Sequence, residues 1–487
     1  MYTSVELSNC AANSISLKNY SKATSLLNKA LLTSNHLQIG QHSSFQDYEK
    51  VKEEEPHIEY DEGMNKLPEP FLISPTKVYN NNFVKLVIFY NLGIAHSRSR
   101  NNEDALAYFE KALSENITLR SFNVIARNNY FGTEETIALL HNLGHAYFRC
   151  QRFDESLEVY NRALEFVLQT YNYYHLHVSS ILNCIGVVRL HTLNEKNDTQ
   201  EVLGVLTEAL AINQAIFSKG QGHILNATIM NNIGRVRFVR GEYNQAKAMY
   251  EESYKIRQSL YGDSHIDVAA IFYNMGEVYH SLGNLDEAVC SYQQFLNIVL
   301  VKNGQNNFDA VLALKKVGDI NYDRKEYDKA IETYVKALNI VKELLGENHT
   351  EVASILNKIG NICYERQELD MALQIYEEGL KVEREIFDPD HPNIVITIIN
   401  IARIHHQKAN LDEALKLHKE ALAIQKRSCS NGSDRLNAAC TLSSIGLLHD
   451  QRKQYGLAID VFKEALEIRT QELGEGHFDI SSTFNVS

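Results

Sequence analysis

The sequence predicts an all-α fold in which helical hairpins stack one on the next, and three observations predict it. Proline is scarce, six in 487 residues, and four of the six (Pro56, Pro68, Pro70, Pro75) crowd into one window. The rest is rich in Leu, Ala, Glu and Lys, which enter helices at little cost. A glycine also recurs at even spacing, and the apolar residues around it keep a helical period.

The spacing starts from the linker histidines. Eleven residues separate His175 from Gly186, His223 from Gly234, His265 from Gly276 and His349 from Gly360, and the same step joins His391 to Ala402. Twelve residues past the glycine stands a small residue (Ala105, Ala246, Ala288, Ala330, Ala372, Ala414, Ala458), and seven further on an Ala–Leu pair is frequent, as at Ala337–Leu338. The run Gly234, Gly276, Gly318, Gly360, Ala402 has a period of 42.

Each period reads as two amphipathic helices. In "SILNKIGNICYERQ" Ile355, Ile359, Ile362 and Cys363 share one face; in "LDMALQIYEEGLKVEREIF" Leu369, Leu373, Tyr376, Leu380 and Ile386 share another. The short polar "RQELD" between them turns the chain back as an antiparallel hairpin. Glycine or alanine is needed where the two backbones cross closely. Gly220, Gly262, Gly304, Gly346, Gly432 and Gly474 stand where second helices should end in the left-handed conformation. The histidines, with Asn307 and Arg435 in equivalent places, read as helix-entrance punctuation. Acids or amides two residues on, such as Asp267, Glu351 and Asn437, suit the dipole of the first turn, and Pro392 suits the first helical position.

In chain order this gives an N-terminal hairpin in 1–35, a proline-containing acidic insertion at 36–81, and an array over 82–487. The array holds about nine hairpins, near 82–117, 136–170, 177–216, 225–262, 267–303, 309–346, 351–387, 393–428 and 437–473, with a longer connector "NITLRSFNVIARNNYFG" after the first. After Gly474 the start of an incomplete further repeat follows, without the polar capping helix such arrays need. The insertion reads as a surface loop, or as one whose Phe71–Ile73 patch tucks against neighbouring helices.

The order of glycine, aromatic, alanine and Ala–Leu resembles the tetratricopeptide repeat. The 42-residue period with its G-x-x-H-x-[DEN]-V linker resembles the lengthened form found in kinesin light chains, and the resemblance covers 1–35 and 82–487. It extends to the repeats only; no long heptad segment precedes them in the sequence. The resemblance implies a right-handed superhelical solenoid whose concave groove, lined by first helices, holds a peptide or partner helix, as in a cargo adaptor.

Two residues before the glycine, on the face expected to line that groove, stand Asn91, Asn142, Asn232, Asn274 and Asn400. An amide offers a donor and an acceptor, which suits an extended peptide backbone and equally suits a neighbouring helix. Both readings remain open, and Lys316, Lys358 and Ser444 interrupt the row. Around it lie His145, Arg235, Glu277, Asp319 and Arg403 one residue after the glycine position, and Arg98 and Arg149 five after, giving a basic first half and an acidic centre.

The formal charge of −13 argues against a nucleic-acid partner. Seven scattered cysteines form no C-x-x-C pair, and no basic-then-apolar leader opens the chain, so a cytoplasmic protein with reduced thiols is expected. The longest apolar segment, "FVKLVIFYNLGIA", is too short for membrane insertion. No phosphate loop, zinc-protease, nucleophile-elbow or dinucleotide motif is present, so neither enzyme activity nor a cofactor is expected. His405 and His406, with His449 one repeat later, form the one histidine cluster, but adjacent helical residues point about 100° apart and suit a metal poorly. The leading expectation is a non-catalytic scaffold binding a protein or peptide; the alternative is an assembly strut that self-associates through its C-terminal end.

Overall fold

The structure is a computed structural model that describes residues 8, 11–12, 14–15, 19–36, 70, 81–122, 132–193, 198–217, 224–304, 307–428 and 432–473. The insertion within 37–80 apart from Pro70, including its Phe71–Ile73 patch, lies outside the described residues. So do most of the 5–35 hairpin's first helix, the heart of the 123–131 connector, Gly220, His223 and everything from Gly474 onward.

Nineteen helices and no strand occur among the described residues. They are α1 (Tyr20–His36), α2 (Asn81–Arg98), α3 (Asn102–Phe122), α4 (Thr133–Arg149), α5 (Phe153–Thr170), α6 (Leu176–His191), α7 (Thr199–Ile216), α8 (Ile224–Val239), α9 (Tyr243–Tyr261) and α10 (Ile266–Ser281). There follow α11 (Leu285–Asn303), α12 (Phe308–Asp323), α13 (Tyr327–Leu345), α14 (Thr350–Glu365), α15 (Leu369–Ile386), α16 (Pro392–Gln407), α17 (Leu411–Ser428), α18 (Gly432–Gln451) and α19 (Tyr455–Leu473). They divide into two compact units, Met1–Gly283 and Asn284–Ser487, with the boundary inside the hairpin expected at 267–303. Within each unit, consecutive helices pack as antiparallel hairpins, each leaning on the next.

The predicted apolar faces are the buried ones: Ile355, Ile359, Ile362 and Cys363 on α14 meet Tyr376 and Leu380 on α15. The crossing explains the glycine. A Cβ on Gly360 would stand 2.7 Å from Cε1 of Tyr376, and one on Gly234 2.5 Å from Cε1 of Tyr250, closer than carbon atoms can approach. An aromatic ring sixteen residues on covers Gly93, Gly144, Gly318 and Gly446 in the same way, while Leu206 covers Gly186.

The linker histidines cap helices. Nδ1 of His175, His265, His349 and His391 accepts the backbone N–H two residues on at 3.2–3.3 Å, and Oδ1 of Asn307 does so at 2.8 Å. Three of the rings also stack on the last aromatic of the preceding hairpin: His175 on Tyr171, His265 on Tyr261 and His391 on Phe387, with centroids 4.1, 4.3 and 3.8 Å apart. Each such histidine therefore ends one repeat and starts the next.

Gly262, Gly304 and Gly346 end their helices with φ of 77°, 82° and 84°, as expected. Gly432 does not. It opens α18, and Arg435 lies inside that helix, where it bonds Glu472 at 2.9 Å instead of capping. The Ala402–Gly446 step is two residues longer than the regular period, and the added length has extended the first helix. Likewise α3 runs to Phe122, past the expected 117, because no glycine or proline stops it before Gly132.

Candidate binding face of the first helices

In the first unit the first helices of successive hairpins touch through one repeating register. The residue two before the glycine meets the residue three before the glycine of the preceding repeat. Asn142 Nδ2 donates to Tyr90 Oη at 3.3 Å, Cys184 Sγ lies 3.3 Å from His141 Nε2, Asn232 Nδ2 donates to Asn183 Oδ1 at 2.9 Å, and Asn274 Nδ2 donates to Asn231 Oδ1 at 3.0 Å. Asn91, Asn142 and Asn232 are buried, whereas Asn274 and Asn400 are half-buried. Asn142, Asn232 and Asn274 thus stitch neighbouring first helices, the second of the two roles open in the sequence. Oδ1 of Asn142 has no hydrogen-bond partner among the described residues. The acceptors of Asn232 and Asn274, Asn183 and Asn231, stand three before the glycine, an offset whose residue type varies from Tyr90 to His141 to asparagine and so carries no repeat signal in the sequence.

The charged residues flank this seam. Arg98 Nη1 reaches the Ile15 carbonyl at 3.5 Å, and Arg235 Nη2 lies 3.3 Å from His191 Nε2, each linking consecutive first helices. His145 is buried, while Arg149 and Glu277 are half-buried. In the α14–α15 hairpin of the second unit the asparagine place is taken by Lys358, which pairs with Asp319 of the preceding first helix; Asp319 also accepts from the Tyr334 hydroxyl. Burial first, then this carboxylate, pushes the Tyr334 pKa far up. Arg403 is exposed and lies over the Tyr364 ring, 4.7 Å from its centroid.

A second set of polar contacts runs between second helices and first helices, of the same hairpin or the next, and between neighbouring first helices. Asn116 donates to Thr136 at 3.3 Å, Asn213 to Asn226 at 2.7 Å, and Arg257 to Thr228 at 3.3 Å and to the Asp267 carbonyl at 2.9 Å. In the second unit Asn357 Nδ2 donates to Glu383 Oε1 and to Thr397 Oγ1, both at 2.9 Å. Glu383 is only 1% exposed, and burial raises its pKa against the opposing pull of Thr397 and Asn357.

His406 Nε2 pairs with Gln451 at 2.8 Å and His449 Nδ1 with Gln454 at 2.7 Å. No group of three His, Cys, Asp or Glu side chains suited to a metal occurs among the described residues, and no described helix is long and apolar enough to cross a membrane.

A tetratricopeptide repeat family model matches residues 135–215, 225–299, 309–385 and 351–427, and a second tetratricopeptide repeat model matches 86–115 and 441–479. The chain belongs to the tetratricopeptide repeat (TPR) family. Among solved structures, the apo form of RapI is similar with a TM-score of 0.50 and 15% identity, over 70% of this chain and 98% of RapI. BtubC (BKLC) from P. vanneervenii is similar with a TM-score of 0.42 and 18% identity, over 49% of this chain and 94% of that one. The TPR-like repeats of a putative kinesin light chain from Podosopora anserina give 0.38 and 17%, over 43% and 99%. At these identities the likeness concerns the fold alone. No curated protein matches the sequence. TPR arrays are protein-interaction scaffolds in general, and this chain carries the architecture of one.

Proposed function

We propose that this TPR protein is a non-catalytic scaffold that holds a peptide or a partner helix along the face of its first helices. The observation that carries the reading is the register in the first unit. Because Asn142–Tyr90, His141–Cys184, Asn183–Asn232 and Asn231–Asn274 tie each first helix to the next, side chains at equivalent places fall side by side in a continuous row. Arg98 and Arg149 stand five after their glycines and make one row basic, while the row one after the glycine runs from Arg235 to Glu277. The buried asparagines set the spacing of the row, and the half-buried charges beside them are the groups a partner would meet. A cargo-adaptor role like that of kinesin light chains, a cytoplasmic location and a surface position for the 36–81 insertion belong to the same proposal.

Affinity capture from native cell extract with mass spectrometry tests it, using wild type beside the Arg149→Glu, Arg235→Glu double variant. Captured proteins should fall several-fold in the variant while circular dichroism is unchanged. Equal capture by both proteins would overturn the assignment of this face.

One observation favours the assembly strut as a second reading: Tyr455, Leu457 and Ile459 on α19 are each more than half exposed. Light scattering after size-exclusion chromatography decides it, since a strut gives oligomers that grow with concentration and revert in Leu457→Lys.

A further inference from the structure

In the second unit, the α14–α15 hairpin and the α16–α17 hairpin are copies 42 residues apart. Asn357 corresponds to Ile399, Glu383 to Gln425 and Tyr376 to His418, while Thr397 keeps its hydroxyl as Thr441 in the helix that follows. In the earlier copy a carboxamide, that of Asn357, fills the space between the helices and donates to Glu383 and Thr397. In the later copy that amide is gone.

A cavity of about 300 Å³ lies among α16, α17 and α18 at this place. Val395, Ile396 and Ile399 form its apolar wall, and His418, Gln425 and Thr441 are polar parts of its lining. His418 and Gln425 are 3% and 9% exposed, yet His418 Nδ1 and Gln425 Oε1 meet no hydrogen-bond partner among the described residues. Buried polar atoms without partners are costly, on the order of 1–3 kcal/mol each, and here both side chains that carry them line one cavity.

The lining selects its ligand. Gln425 Oε1 accepts only, so the ligand must donate. Burial, with the nearby His406 charge, lowers the His418 pKa to about 4, so the ring is neutral and has one N–H to give. No lysine or arginine lines the cavity and the Asp434 carboxylate does, which disfavours an anion. To a cation the lining offers a single carboxylate, that of Asp434, beside the Val395, Ile396 and Ile399 wall. What remains is an uncharged group with a donor and an acceptor on a small apolar body.

We propose that this cavity binds a carboxamide, whose NH₂ donates to Gln425 Oε1 and whose oxygen accepts from the His418 ring, taking up the place that the Asn357 amide fills one repeat earlier. The carboxamide is either that of a small free amide or the end of an Asn or Gln side chain in a bound polypeptide. Binding is independent of the charged face above: the Arg149→Glu, Arg235→Glu protein should bind the same probes as wild type.

The test is saturation-transfer NMR on the full chain with butyramide, butyrate, acetyl-Leu-Gln-Leu methylamide and its Glu counterpart. Butyramide should bind in the millimolar range, and butyrate and the Glu peptide at least tenfold more weakly. Ile399→Asn, which restores an internal amide, should abolish binding. Gln425→Leu should do the same and serves alone if circular dichroism shows the first variant unfolded. A Gln peptide tenfold tighter than butyramide assigns a polypeptide side chain; equal or weaker peptide binding assigns a free amide. Butyrate binding as well as butyramide, undiminished binding in either folded variant, or no binding of either amide (a pocket filled by water only) overturns the proposal.

Discussion

The α14–α15 and α16–α17 hairpins share one backbone plan and solve its two tight places differently. At the crossing, the first pairs Gly360 with a buried Tyr376 whose ring leaves no room for a Cβ; the second pairs Ala402, which has a Cβ, with the smaller ring of His418. At the seam to the next repeat, the first closes an Asn357–Glu383–Thr397 network, and the second leaves Gln425 beside Ile399 and an open cavity. At the crossing the exchange is made as a pair, a larger small residue with a smaller ring, whereas at the seam it leaves His418 and Gln425 with buried polar atoms that meet no partner among the described residues. The chemistry a repeat can offer is set at the exchanged positions, not by the frame.

The largest expected contrast is in acid, where the two hairpins should respond in opposite senses. His418 has its pKa lowered from 6.5 to about 4, so below 6.5 the unfolded chain binds the proton first. Stability from this site is lost as pH falls from about 6.5 to about 4, on the order of 2–3 kcal/mol in all. Glu383 has its pKa raised, so the folded protein takes the proton first, and acidification strengthens that site until the ordinary carboxylate range is reached. Urea melts between about pH 7 and pH 4 should show the acid loss removed by His418→Phe and the acid gain removed by Glu383→Gln. Parallel pH profiles for wild type and both variants would dissolve the contrast.

Making the seams alike should cost less. Asn357→Leu brings the first hairpin toward the second and leaves Glu383 and Thr397 without the amide, a loss of about 2 kcal/mol by urea titration. Glu383→Leu added to it should recover part of that loss, because the orphaned acceptor is gone. The smallest effect is in the turns. Seven residues past the glycine position sits a left-handed residue in every described hairpin of the array except α6–α7; Gln367 at φ 63° and Ala409 at φ 61° occupy it, where Gly241 stands at φ 79°. Gln367→Gly should stabilise by about 0.5 kcal/mol, and Gly241→Gln should cost a similar amount.

Much of this plan was legible in the sequence because it is written in repetition. The histidine-to-glycine and glycine-to-alanine steps, the helix entrances at the histidines and the apolar faces of α14 and α15 recur often enough to identify themselves; the rings that cover the glycines come from the structure. The left-handed turn position was not legible, since six of its eight occupants are residues such as Arg100 and Lys325 that carry no turn signal. The α18 start was misplaced because Gly432 has the composition of a helix stop and the position of a helix start. The asparagine row was found but its bonds were not, since a single offset cannot show that Asn183 and Asn231 stand opposite. The cavity at Ile399 arises from an exchange that looks like ordinary core chemistry until the neighbouring repeat is laid over it.

The most direct test is a double-mutant cycle at the crossing: melting of Gly360→Ala, Tyr376→His and the double variant that copies Ala402–His418. Each single change should destabilise, the first by about 1–3 kcal/mol through overpacking and the second through a lost ring, and the double should lose less than their sum by about 1 kcal/mol or more. Additivity within about 0.5 kcal/mol would contradict the claim that small residue and ring are exchanged as a pair.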